Sequence, residues 1–262
     1  MKKRIAAGAI ILAISSGCAA ESGQEEAAET AEVSIAAASD LNPAFQALKD
    51  EFEAETGVEL TFSFGSTGQL ADQIENGAPF DVFASANVSF IDHLIETDDI
   101  IEESAQPYAF GRIGLMMKEE NTGAAENIAD LTSAEIEQLS IANPAHAPYG
   151  MAAEEALKAS GLYADVENKL VYGRNITDAF THIETGNADA GIIAYSLGIA
   201  NEDGYDFILL DEELHEPIEQ VIGVTSQADH PEEAQLFIDY ITDGSGKETM
   251  EAYGFIVPEE ES

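Results

Sequence analysis

The chain has 262 residues, enough for a substantial core or for two lobes of roughly 100 residues each. It carries 51 acids against 10 bases, a formal charge of −41, with the acids spread along its whole length. Such a surface argues against a nucleic-acid partner. It reads as an adaptation to high salt, where the Debye length shrinks to about 3 Å at 1 M and self-repulsion is muted.

The first twenty residues read as an export signal rather than as fold. Lys2, Lys3 and Arg4 form a basic start, residues 6–14 are an apolar run too short to span a bilayer, and small residues follow. The single cysteine, Cys18, is preceded by Ile14-Ser15-Ser16-Gly17. That pattern resembles a bacterial lipoprotein box, with Ser15 where an aliphatic residue is usual. On this reading residues 1–17 are removed and Cys18 is lipidated, anchoring the protein to the membrane. The alternative is ordinary cleavage after Ala20. Residues 21–32 are polar and acidic with no apolar period, and read as a tether.

Strand and helix patterns then alternate. Val33 to Ala38 is a buried strand, and Leu41, Ala44, Phe45, Leu48 and Phe52 mark one face of a helix, with Pro43 in its first turn. Residues 58–64 alternate as a strand, Gly65 to Gly68 turn, and a helix through Leu70 and Ile74 stops at Gly77. Further strands are expected at 81–84, 112–118, 139–142, 169–172, 190–194 and 218–225. Helices are expected near 88–95, 149–159, 176–185, 232–241 and 247–253. Alternation with short loops predicts an α/β protein with mostly parallel sheets.

Four strand ends carry similar chemistry. They are Ala38-Ser39-Asp40, Gly65-Ser66-Thr67-Gly68, Ala147-Pro148-Tyr149-Gly150 and Gly173-Arg174-Asn175-Ile176. Each precedes or opens a helix, where free N–H groups and the positive end of the dipole favour an anion. The first two add hydroxyl donors. In open α/β sheets ligands sit beyond these carboxyl ends. Any one of the four taken alone is an ordinary helix start; together they predict one small anion held by dipoles.

The segments A-A-A-S at 36–39, G-S-T-G at 65–68, G-A-P-F-D-V-F-A-S-A at 77–86, N-P-A-H-A-P-Y-G at 143–150 and Y-G-F at 253–255 together resemble the periplasmic molybdate-binding proteins of ABC transporters. The resemblance spans about residues 33 to 257. It implies the two-lobed periplasmic-binding-protein fold (type II), with the ligand in the cleft between lobes. It places the first lobe at 33–110 plus 221–257 and the second at 111–220, with crossings at 108–118 and 217–225. It further implies that Ser39 and Thr67 donate through hydroxyl and amide, and that Tyr149 and Ile176 donate through the backbone. The ligand is then molybdate or tungstate, with no other cofactor, and the partner is a membrane permease served by a monomeric receptor.

Some positions depart from the family pattern. Asp40 stands where leucine or asparagine is expected, and Arg174 where an acid is frequent. Arg174 is expected either to offset Asp40 near the cleft mouth or to form an ordinary surface ion pair. Some members complete the site with a tyrosine at the place of Ala194. Here Tyr195 lies one residue on, which on a strand points the other way, and Tyr149 is expected to fill that space. A fully deprotonated tetrahedral dianion needs donors only, and a buried acceptor beside it is costly. Asp40 is therefore the one residue favouring phosphate, which carries a proton. Ser66 is a further hydroxyl beside the site.

Sulfate and phosphate remain as alternative ligands. A secreted enzyme and a structural surface protein are the readings from other classes. The five histidines make no H-E-x-x-H pattern, and His146 reads as a structural histidine. Gly244-Ser245-Gly246-Lys247 lacks the remaining residues of a phosphate loop.

Overall fold

The computed structural model describes residues 31–258 except 122 and 243. The expected signal at 1–20, Cys18 and the tether up to residue 30 lie outside the described residues. The chain begins with β1 (Glu32–Ala38), a single 3-10 turn at Ser39–Leu41 and α1 (Asn42–Thr56). Pro43 sits in the first turn of α1, and Gly57 ends it with φ 73°, a conformation that a Cβ would strain. Then come β2 (Glu59–Gly65), α2 (Thr67–Glu75), β3 (Val82–Ser85) and α3 (Val88–Glu96). They are followed by β4 (Gln106–Gly111), β5 (Ile113–Lys118), β6 (Leu139–Ala142), α4 (Pro148–Ala159) and α5 (Tyr163–Val166). The remainder is β7 (Leu170–Gly173), α6 (Ile176–Glu184), β8 (Ala190–Ala194), α7 (Tyr195–Ala200), β9 (Tyr205–Leu209), β10 (Ile218–Val224), α8 (Pro231–Thr242) and α9 (Gly246–Ala252).

Two five-stranded sheets result, in the orders β2-β1-β3-β10-β4 and β7-β6-β8-β5-β9. The chain leaves the first sheet at Arg112, between β4 and β5, and returns to it between β9 and β10. In the first sheet β1 is parallel to both neighbours, with Ile35 opposite Phe62 on one side and Val82 on the other. In the second, β6 is parallel to β7 and β8.

The expectation of mostly parallel sheets does not hold. β10 runs antiparallel to β3 and β4, and β5 runs antiparallel to β8 and β9. The cause is the double passage between lobes. In each sheet one strand that has just crossed from the other lobe, β10 in the first and β5 in the second, runs against the βαβ units, and both of its pairings are antiparallel. The sequence reading also had no separate strands for β4 and β9. β4 carries Pro107, tolerated because this strand lies at a sheet edge. β9 is another edge strand, only partly buried, so it shows no clear apolar period.

The helical face read from the sequence is the buried one: Leu41, Ala44, Phe45, Leu48 and Phe52 are all buried. Phe45 and Phe52 meet Phe237 of α8 edge-on, with centroids 5.3 and 5.5 Å apart, a favourable aromatic geometry. This cluster ties the C-terminal helix to the start of the chain. Asp81 does so from beneath: its buried carboxylate accepts from the Ser34 amide (2.7 Å) and hydroxyl (2.8 Å), and from the Asp229 amide (2.7 Å) just before α8.

Candidate functional site

The carboxyl ends of β1 and β2 and the starts of α4 and α6 face one another across the gap between the sheets. They enclose a small hollow of about 10 Å³, room for about one water-sized sphere. Drug-sized ligands occupy pockets of roughly 300 Å³ and more and are excluded, so only a ligand of very few atoms is compatible with this hollow. Ser39 and Asp40 line it from the end of β1, and Ser66 and Thr67 from the end of β2. Tyr149 at the start of α4 and Ile176 at the start of α6 close it from the other lobe. The structure thus brings together the four main predicted residues, Ser39, Thr67, Tyr149 and Ile176, with Asp40 and Ser66 beside them.

No side chain caps the start of α2 or α4. The first-turn residues Thr67 and Tyr149, whose amides have no i−4 partner within the helix, line the hollow, whereas the Gly68 amide is taken by the His146 carbonyl and the Gly150 amide by the Ala147 carbonyl. The α6 start is partly capped, since the Asn175 side chain accepts from the Asp178 amide at 2.8 Å. The Thr67 hydroxyl accepts from the Ala86 amide at 3.2 Å, so its own proton is free to be donated. Glycines make the enclosure possible. A Cβ at Gly150 would strike the Ala142 carbonyl, and one at Gly111 would strike the Tyr149 hydroxyl.

The lobes are clasped around this space. The Gly68 amide donates to the His146 carbonyl at 2.9 Å, and the Ser66 hydroxyl pairs with His146 Nδ1 at 2.8 Å. The Thr177 hydroxyl donates to the Ser39 carbonyl at 3.1 Å, and the Ser196 hydroxyl to the Asp40 carbonyl at 2.8 Å. Ser66 and His146 have the spacing of a nucleophile and base, but among the described residues no carboxylate orients the imidazole. No metal-binding group of three His, Cys, Asp or Glu occurs among the described residues.

Asp40 is 1 % exposed. Its Oδ2 accepts from Gln220 Nε2 at 2.7 Å, while its Oδ1 is buried with no hydrogen-bond partner. The same Gln220 amide donates to the Tyr149 hydroxyl at 3.0 Å, and Gln220 Oε1 accepts from the Tyr108 hydroxyl at 2.6 Å. Burial pushes the Asp40 carboxyl up to about 6, against the lowering effect of the Gln220 hydrogen bond and of the nearby Tyr149 phenol. Burial and the nearby Asp40 charge hold the Tyr108 and Tyr149 phenols well above their usual range.

Two predicted secondary residues lie elsewhere. Arg174 Nε bonds Asp178 Oδ2 at 2.6 Å with its side chain 81 % exposed. It therefore takes the surface-pair alternative, and the expected offset of Asp40 is not made. Tyr195 opens α7 instead of ending a strand. Its ring lies under the Arg112 guanidinium, 4.6 Å from the centroid, and against Phe207, so it does not line the hollow. Gln220, Tyr108 and Ser196 were missed. A polar Gln inside the apolar run of β10 was the available signal; nothing in sequence marked Tyr108 or Ser196.

The fold and the hollow define a solute-binding protein of two lobes. A family model described as "Bacterial extracellular solute-binding protein" matches residues 33–256, and the chain belongs to that family. Within it, the chain is 31 % identical over 250 residues to the molybdate-binding protein ModA of Rhodobacter capsulatus, covering 95 % of this chain and 96 % of that one. It is 34 % identical over 235 residues to ModA of Azotobacter vinelandii, covering 87 % and 91 %. The solved structure of the Azotobacter vinelandii periplasmic molybdate-binding protein superposes with a TM-score of 0.81 at 24 % identity, covering 87 % of this chain and all of that one.

Proposed function

We propose that this protein is the substrate-binding component of an ABC importer and binds molybdate, or tungstate, in the hollow between its lobes. One observation carries the reading: residues with uncharged donors from four turns, two in each lobe, line one small common hollow. Ser39 and Thr67 would donate through hydroxyl and amide, and Tyr149 and Ile176 through their amides. Dipoles explain how so acidic a protein holds an anion. The donors are in contact with it, whereas the surface acids are distant and screened by salt. The molybdate-binding relatives matched over nearly their whole length support this choice over sulfate or phosphate.

The protein would act outside the cytoplasm as a monomer that hands its ion to a membrane permease, without catalysis. Its retention at the membrane would rest on lipidation of Cys18, and its charge would suit it to high salt. Closure would be a hinge motion about the two passages between the sheets, held by the Gly68–His146 and Thr177–Ser39 bonds. Calorimetric titration with molybdate, tungstate, sulfate and phosphate in 1 M NaCl tests the reading. Tight one-to-one binding of the first two is expected. Preference for sulfate or phosphate, or no binding of any, would overturn it. As a second readout, a ligand at a thousand times its Kd stabilises by about 4 kcal/mol.

A further inference from the structure

Asp40 lines a hollow that, on the reading above, receives a dianion. A carboxylate there would set like charges against each other with little water between them. Yet one oxygen of this carboxyl is held by Gln220, and the other is buried with no partner at all. A buried acceptor left unpaired is costly, and a protonated oxygen at the same place would be a donor with an anion to receive it. Asp40 is also the one carboxyl among the residues lining the hollow.

We propose that Asp40 binds the oxyanion as a neutral carboxylic acid, its Oδ1–H donating to the anion, so that each ion is taken up together with one proton. The inference rests on the function proposed above and concerns the same hollow. In the balance, ionised Asp40, one proton from solvent and the dianion give a complex in which the site gains one negative charge in place of two.

The surroundings favour this. The titratable groups whose charge and hydrogen bonds bear on Asp40 are the phenols of Tyr108 from β4 and Tyr149 from α4, both held neutral. The Gln220 amide, from β10, donates to Oδ2 and leaves that oxygen as the acceptor, so the proton falls to Oδ1. From α7, Ser196 takes only the Asp40 backbone carbonyl. From α6, Arg174 and Asp178 pair with each other at the surface and supply no net charge. Without a cation beside it, the carboxyl is already poised near pH 6 in the free protein. An adjacent dianion would raise that value further.

The test is calorimetric titration with molybdate between pH 6 and 8.5 in 1 M NaCl, in buffers of different ionisation enthalpy, with wild type and Asp40→Asn. Asparagine keeps the acceptor for Gln220 and a donor for the ion but cannot titrate. For wild type the Kd should rise toward a tenfold increase per pH unit above about 6, with uptake of close to one proton per ion at pH 7.5. The variant should bind with a Kd independent of pH and take up no proton. The wild-type profile alone decides the matter if the variant does not fold. A flat wild-type profile with tight molybdate binding overturns the inference and leaves the receptor reading intact. So does phosphate binding that needs Asp40 at pH 8, which would make the carboxylate an acceptor. An equal slope in the variant moves the proton to another group and also overturns it. No binding of any oxyanion at any pH overturns both readings.

Discussion

Replacing Asp40 with asparagine should stabilise the ligand-free protein at high pH and leave it unchanged at low pH. Burial raises the Asp40 pKa from 3.8 to about 6, so the native state holds this proton more tightly than the unfolded chain does. The stability linked to it is whole below the unfolded value near 3.8 and is lost as pH rises through about 6. At 1.36 kcal/mol per pH unit, the ionised group costs on the order of 3 kcal/mol at pH 8. A domain of 150–250 residues gains roughly 2–4 °C per kcal/mol. The variant should therefore melt about 6–12 °C higher than wild type at pH 8, with the gap closing near pH 4. Thermal melts followed by circular dichroism at pH 4, 5, 6, 7 and 8 in 1 M NaCl measure it. Every other carboxylate cancels in the difference between the two proteins. A gap of constant size across that range, or none at pH 8, would refute the assignment of a buried, uncompensated charge to this residue. If the gap appears, the fold keeps a destabilising group at a position lining the hollow, a pattern common where function opposes stability.

Ser39→Ala removes a hydroxyl from the hollow, and a hydrogen bond to a charged partner is worth about 1.5–3 kcal/mol. Molybdate Kd should rise roughly 10- to 150-fold by calorimetry; an unchanged Kd would remove Ser39 from the site. Gly68→Ala sets a methyl 2.9 Å from the His146 carbonyl in the opposite lobe, which should hold the lobes apart. At a strain of about 1–3 kcal/mol, Kd should rise about tenfold while the ligand-free melting temperature stays put; equal affinity would mean that closure does not depend on this contact. Arg174→Ala should change Kd by less than about twofold even at low salt, because the guanidinium is spent on Asp178 at the surface. A large loss would restore it to the site.

The strand-turn-helix units around the hollow were legible in the sequence because their causes are local. The apolar face of α1, the glycine stop at Gly77, and the turn at Gly65 to Thr67 act over a few residues. The four anion-facing turns were visible for the same reason, since a helix start with hydroxyls or glycine is written in three or four letters. The antiparallel half of each sheet was not. Nothing local at β10 says that it will return from the other lobe and insert between β3 and β4.

The sequence also could not weigh Asp40, whose charge depends on partners 109 and 180 residues away, Tyr149 and Gln220. The i, i+4 spacing of Arg174 and Asp178 was present in the sequence, but its consequence was not. An arginine on an exposed helix start has a cheap partner one turn away and no reason to reach into a closed hollow. Tyr195 lies off the hollow, as its one-residue offset implied, but for another reason: the strand ends at Ala194 and a helix begins at Tyr195, so strand alternation does not apply there. What the residues fix by themselves is the set of donors and the turns that carry them. Which donors converge, and whether a carboxyl among them keeps its proton, is decided by how much water the two closed lobes leave between them.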